Sequence, residues 1–155
     1  MLFRSGLRAD LGSAGNITGL AFAPSTDGRH YNRQLRIRMT HKPSGYNLSS
    51  TFATNITGAT TVLNESYYSW HTRADDWNEV GLNTPFAYNG TSDVVVEIYA
   101  RGNIQLEGTN GGFRTGSEPR VYAYGWPWSS QPTTGTVGTS AALKMRAEFS
   151  CAETG

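Results

Sequence analysis

Apolar residues recur at every second position in several stretches of this chain, the period of a β-strand with one buried face. Phe3, Ser5, Leu7, Ala9 and Leu11 share one side, against Arg4, Arg8 and Asp10 on the other. Leu20 and Phe22 form a second stretch, which Pro24 and the Asp27-Gly28 pair bring to an end. Leu35, Ile37 and Met39 alternate with Arg36, Arg38 and Thr40, as in a half-buried antiparallel strand. Val94, Val96, Ile98 and Ala100 oppose Val95, Glu97 and Tyr99; with valine on both faces, this strand is expected near a sheet centre. The clearest alternation runs through Ala141, Leu143, Met145, Ala147, Phe149 and Cys151. Weaker strand patterns lie at 60–63, 65–70, 77–82 and 120–126, while 102–116 and 129–138 read as long loops. No stretch has convincing helical spacing. The prediction is one all-β domain over residues 1–155, an antiparallel two-sheet β-sandwich.

Composition narrows the class without naming a reaction. Only 16% of the 155 residues are charged, 18 are glycine and 12% are aromatic, which fits turns and strands better than a helical bundle or a disordered chain. A net charge of +1 gives no reason to expect nucleic acid, but it hides a segregation. Residues 1–42 carry seven basic and two acidic groups (+5), residues 43–100 one and six (−5), and the remainder five and four (+1). The blocks either neutralise each other on neighbouring strands or form opposite patches that favour head-to-tail contact between copies. No apolar run approaches the roughly 20 residues of a membrane span, so no membrane insertion is expected. Cys151 is alone, which leaves no intrachain disulfide.

Local chemistry is sparse. His30, His41 and His71 stand far apart and read as exposed loop residues. Asp75-Asp76 reads as a turn before a strand rather than a calcium site. No nucleophile, phosphate-binding or zinc spacing occurs, so no catalytic residue, metal or cofactor is assigned and an enzyme is not expected. Tyr122, Tyr124, Trp126 and Trp128 fall on one side of an extended chain, opposite Val121, Ala123, Gly125 and Pro127. Small residues are easily left to solvent, which favours turning the aromatic row to the core; turned outward, it would stack on sugar rings. Asn16, Asn47, Asn55, Asn64 and Asn89 each begin an Asn-x-Ser/Thr triplet, acceptors for N-glycosylation in a secreted protein.

Trp77-Asn78-Glu79-Val80-Gly81-Leu82-Asn83-Thr84-Pro85-Phe86-Ala87-Tyr88-Asn89-Gly90, followed by Ser92-Asp93-Val94-Val95-Val96-Glu97-Ile98, resembles a jelly-roll module of secreted and cell-surface bacterial proteins. The shared pattern is a Trp-containing strand, Pro-Phe-x-Tyr-x-Gly, then a hydrophobic strand. Arg8–Gly12, Gly15–Phe22, Arg36–Thr40 and Lys144–Phe149 are similar to other parts of that module. In this pattern Pro85 should break a strand, Phe86 and Tyr88 plug the core, and Asn89-Gly90 turn the chain. The resemblance implies a jelly-roll-like sandwich, an extracellular or cell-surface location, and an adhesive or structural role without catalytic residues. Related modules resemble protomers of extracellular bacterial fibres joined by donated strands. The expectation is therefore a structural subunit of a surface fibre, with copies of itself as partners. Residues 1–11, through Phe3, Leu7, Ala9 and Leu11, are the candidate exchanged strand. The alternative is a carbohydrate-binding or adhesion module using the aromatic row, with glycans as partners.

Overall fold

A computed structural model describes residues 2–5, 13–102, 104–108, 115–116, 119–123, 130–138 and 142–151. The elements run β1 (Leu2–Ser5), β2 (Gly15–Phe22), β3 (Gly28–Lys42), a one-turn helix α1 (Phe52–Asn55), β4 (Thr60–Thr72), β5 (Asn78–Tyr88) and β6 (Asp93–Arg101). They continue with β7 (Ile104–Gly108), β8 (Thr115–Gly116), β9 (Arg120–Tyr122), β10 (Thr136–Gly138), β11 (Ala142–Leu143) and β12 (Met145–Cys151). All pairings between these strands are antiparallel.

A seven-stranded sheet has the order β10-β9-β1-β6-β3-β4, with β7 extending the β6 side of β3. A three-stranded sheet, β12-β2-β5, packs against it, and β8 pairs with β11 in a small ribbon. The alternating residues specify which faces meet. Ile17, Leu20 and Phe22 of β2 and Val80, Phe86 and Tyr88 of β5 share one core with Leu35, Ile37 and Met39 of β3 and Val94 and Val96 of β6. Phe22 meets the edge of Trp70 from β4 at 5.9 Å and 82°, the arrangement that the quadrupoles of aromatic rings favour. This is a two-sheet, all-β, sandwich-like arrangement. As its pattern implied, β6 lies inside the large sheet, between β1 and β3, and Val94, Val95 and Val96 are all fully buried.

Several elements depart from the sequence reading, each for a local reason. The two weak patterns at 60–63 and 65–70 are one strand. Val62 is an extra residue between Leu63, opposite Ile37, and Thr61, opposite Arg38, so Val62 and Leu63 are both buried and the alternation is interrupted. Pro85 lies within β5 rather than breaking it. Between Phe86, opposite Ile17, and Gly81, opposite Gly19, β5 leaves its ladder with β2, so the missing proline N–H costs no bond there. The expected loop at 102–116 contains β7, which pairs with β3 from Gly28 to Tyr31. The three histidines lie on strands, His30 and His41 on β3 and His71 on β4, and not in loops. Asp75-Asp76 does form the turn before β5, with Asp76 Oδ1 accepting the Trp77 N–H at 2.8 Å.

Candidate functional site

The most constructed part of the large sheet is the position of β1. Its four residues lie between β6 and β9, with Leu2 opposite Glu97, Phe3 opposite Val96, Arg4 opposite Val95 and Ser5 opposite Val94. On the other side Leu2 and Phe3 stand opposite Val121 and Arg120. Among the described strands, β9 pairs only with β1 and β10, so β1 carries the main-chain hydrogen bonds that join this hairpin to β6.

A separate cover spans the same gap. On the face away from the sandwich core, Val95 of β6 and Val121 of β9 are both fully buried, and with Ile56 they form a second apolar cluster. Tyr46, Leu48, Phe52 and Ala59 complete it. This 46–59 segment is pinned by Asn55, which is fully buried. Its Oδ1 accepts the Ser49 N–H at 2.8 Å and the Tyr46 hydroxyl at 3.1 Å. Its Nδ2 donates to the carbonyls of Ser49 at 2.7 Å and Thr51 at 3.2 Å. All the amide's bonding capacity is thus used inside one loop, the condition for burying it at little cost.

The cover also grips the far wall of the gap. Thr51 bridges to Thr134, the Phe52 N–H donates to Thr133 O at 3.0 Å, and the Gly135 N–H donates to Ser50 O at 2.8 Å. A Cβ on Gly135 would fall 2.6 Å from the Phe52 ring and 2.7 Å from Tyr122 O, so this approach requires glycine. The β9–β10 hairpin is therefore tied to the body of the protein at two places, through β1 and through the cover.

Charge frames the gap on the side of β3. Glu97, opposite Leu2, is 5% exposed. Arg38 holds its carboxylate in a two-pronged contact, Nε to Oε1 at 2.6 Å and Nη2 to Oε2 at 2.8 Å. Arg36 Nη2 adds a bond at 3.2 Å, and its guanidinium lies 4.6 Å from the centre of the Tyr99 ring. These are groups of the basic and acidic blocks on adjacent strands, so part of the segregated charge is neutralised within the fold.

The connection from β1 re-enters the described chain at Ser13 and Ala14, which the 89–92 turn meets closely. Gly90 has φ 83°, and a Cβ on it would lie 2.6 Å from the Ala14 nitrogen. Asn89 Oδ1 caps the turn by accepting the N–H groups of Thr91 and Ser92, both at 2.9 Å. The Asn89 N–H donates to His41 Nε2 at 3.1 Å. The His41 ring lies 4.7 Å from that of Phe86 and 5.9 Å from that of Tyr88, and burial lowers its pKa below the usual histidine value. A neutral ring with an acceptor nitrogen is what this contact needs.

The residues singled out by the sequence are dispersed. Phe3 is in β1; Leu7, Ala9 and Leu11 lie outside the described residues. Tyr122 ends β9, with the Arg120 guanidinium 4.4 Å from its ring centre, while Tyr124, Trp126 and Trp128 lie outside the described residues. At this end of the row Val121 is fully buried in the outer cluster and Tyr122, which as its neighbour in the strand points to the other face, is half-buried. Asn16, Asn47, Asn64 and Asn89 are exposed, whereas Asn55 is the buried pin and inaccessible to a glycosylating enzyme in the folded protein. Sequence reasoning missed the 46–59 cover altogether, because its apolar residues follow no strand or helix period. Among the described residues, no three His, Cys, Asp or Glu side chains gather as a metal site, and no helix is long and apolar enough to cross a membrane.

Compared with protein-family models, with curated proteins and with solved structures, the chain finds no significant match in any of the three.

Proposed function

We propose that this chain is a non-enzymatic, extracellular structural subunit, of a surface fibre or similar homopolymeric assembly, in which β1 of one copy occupies the gap between β6 and β9 of another. The observation that carries this reading is the double attachment of the β9–β10 hairpin. A short leading strand supplies the main-chain hydrogen bonds across the gap, while the Thr51–Thr134 bridge and the Val95–Val121–Ile56 cluster hold its two walls independently. A gap built in this way keeps its shape when its own strand leaves. An incoming strand then finds two unpaired edges and an apolar floor, the requirements of strand addition. Uncompensated parts of the +5 and −5 blocks would orient successive copies. The jelly-roll resemblance of the 77–98 segment and the exposed acceptors Asn16, Asn47, Asn64 and Asn89 support the extracellular part of the proposal.

Deletion of residues 1–10 tests it. The full chain should sediment as multimers, and the truncated chain as a 1:1 acceptor that binds a labelled peptide of residues 1–10 and then no longer binds full-length chains. A monodisperse full-length monomer at high concentration, or a folded truncated chain that ignores the peptide, would overturn the proposal.

A further inference from the structure

The outer face of the three-stranded sheet forms a trough. Leu20, Phe22, Val80, Met145, Ala147 and Phe149 pack into the core, so Gly19, Ala21, Glu79, Gly81, Arg146 and Glu148 turn away from it. The middle strand, β2, gives this face only Gly19 and Ala21, with β5 and β12 as walls. Arg146 and Glu79 flank Ala21, while Glu148 and Gly81 flank Gly19. A depression of about 290 Å³ lies between them. Its floor at Gly19 and Gly81 is bare backbone, yet the fold requires glycine at neither position. Neither residue has a left-handed φ. A Cβ on Gly81 would meet nothing within 4 Å, and one on Gly19 would be crowded only by the flexible end of Glu148, Oε2 at 2.9 Å. Glycine inside a strand weakens it and packs against nothing. Two glycines facing each other without a local need mark a place where something else approaches the backbone.

The rim specifies the ligand's chemistry. Arg146 Nη2 and Glu79 Oε1 are 3.9 Å apart, beyond hydrogen-bond length, and their side chains are 52% and 73% exposed. Both keep their bonding capacity for a ligand. Among the described residues, the exposed Glu148 makes no hydrogen bond or ion pair. At one end of the trough the Arg146 guanidinium and Lys144 Nζ lie 4.9 and 5.7 Å from the centre of the Trp77 ring, which steadies both cations. Two carboxylates and two cations therefore border the floor, and their charges sum to zero. A polyanion would be repelled by Glu79 and Glu148, and a polycation by Arg146 and Lys144. A hydroxyl group suits both signs, since it donates to a carboxylate and accepts from a guanidinium. The CH face of a sugar ring suits a floor of glycine backbone and an alanine methyl group. We propose that this trough binds a neutral saccharide chain, with a ring lying on Gly19, Gly81 and Ala21 and its hydroxyls on Glu79, Glu148 and Arg146. The site is on the other sheet from the β1 gap, and either can fail without the other.

Affinity electrophoresis of the full chain tests it, in gels containing hydroxyethylcellulose, galactomannan, polygalacturonate or polylysine and against a non-binding marker protein. The expected result is retardation by at least one of the two neutral polymers and by neither charged one. Gly81→Val should weaken that retardation at least tenfold by filling the open floor. Its thermal midpoint should be equal or higher, because valine has room there and favours a strand. Glu148→Gln, which changes no packing, should weaken the retardation several-fold. No retardation by either neutral polymer, or equal retardation by a charged one, would overturn the proposal. So would unchanged retardation of either variant. Loss of retardation together with a changed sedimentation coefficient would overturn it in favour of a contact between copies.

Discussion

Asn55 shows how one side chain can decide a surface. Four hydrogen bonds converge on its amide and fold the 46–59 segment over Val95 and Val121. Asn55→Ala should therefore destabilise the protein by about 3 kcal/mol in urea unfolding, since each net bond is worth about 1 kcal/mol and buried main-chain groups would be left unpaired. Glu97→Gln should cost about 2 kcal/mol by the same measurement, because Arg36 and Arg38 would then crowd together without a carboxylate between them. Tyr67→Gly is expected to act in the opposite direction, stabilising by about 0.5–1 kcal/mol: relief of left-handed strain at φ 58° exceeds the added freedom of the unfolded chain. The sequence made Arg36 and Arg38 legible as one polar face. It could not pair them with Glu97, because that pairing depends on β3 and β6 meeting across 59 residues. Asn55 was legible only as the start of an Asn-x-Thr triplet, since satisfaction of an amide depends on a loop with no period of its own.

At the scale of elements, alternation succeeded wherever one face met the core and the other met water or a polar layer. The 35–40 and 94–100 patterns correspond to β3 and β6. The pattern that reads as one strand from Ala141 to Cys151 is divided at Lys144 into β11, paired with β8, and β12, paired with β2, with Ala141 outside the described residues. It failed where a strand changes its facing. The bulge at Val62 and the left-handed residue Tyr67 each interrupt the period within β4, which is why one strand read as two weak ones. Pro85 misled for a related reason, since its effect depends on whether a neighbour needs its N–H, and here β5 is away from β2. The contact between β3 and the 89–92 turn carries a pH dependence. His41 has a lowered pKa in the folded state, so the unfolded chain binds the extra proton first. Stability from this contact is present above the unfolded value near 6.5 and is lost as pH falls through it towards the folded value. Urea midpoints measured between pH 8 and pH 5 should fall on the acid side, and His41→Gln should flatten the profile. A profile equally steep in His41→Gln would place the dependence elsewhere.

For the whole molecule, composition and alternation led to the all-β sandwich, and the segregated charge led to one of its internal contacts. Neither revealed the seven-stranded order, because β1, β9 and β10 are short and their partners lie far along the chain. That order places a four-residue leading strand between two walls that the cover also holds. The proposed exchange of this strand between copies is open to covalent trapping. Phe3→Cys and Val96→Cys, at directly opposed positions, are introduced together in a Cys151→Ser background, oxidised at high protein concentration and run on a denaturing gel without reductant. Strand exchange predicts a ladder of disulfide-linked dimers, trimers and longer chains that collapses to monomer on reduction. A single band of internally bridged monomer, at every concentration tried, would contradict it.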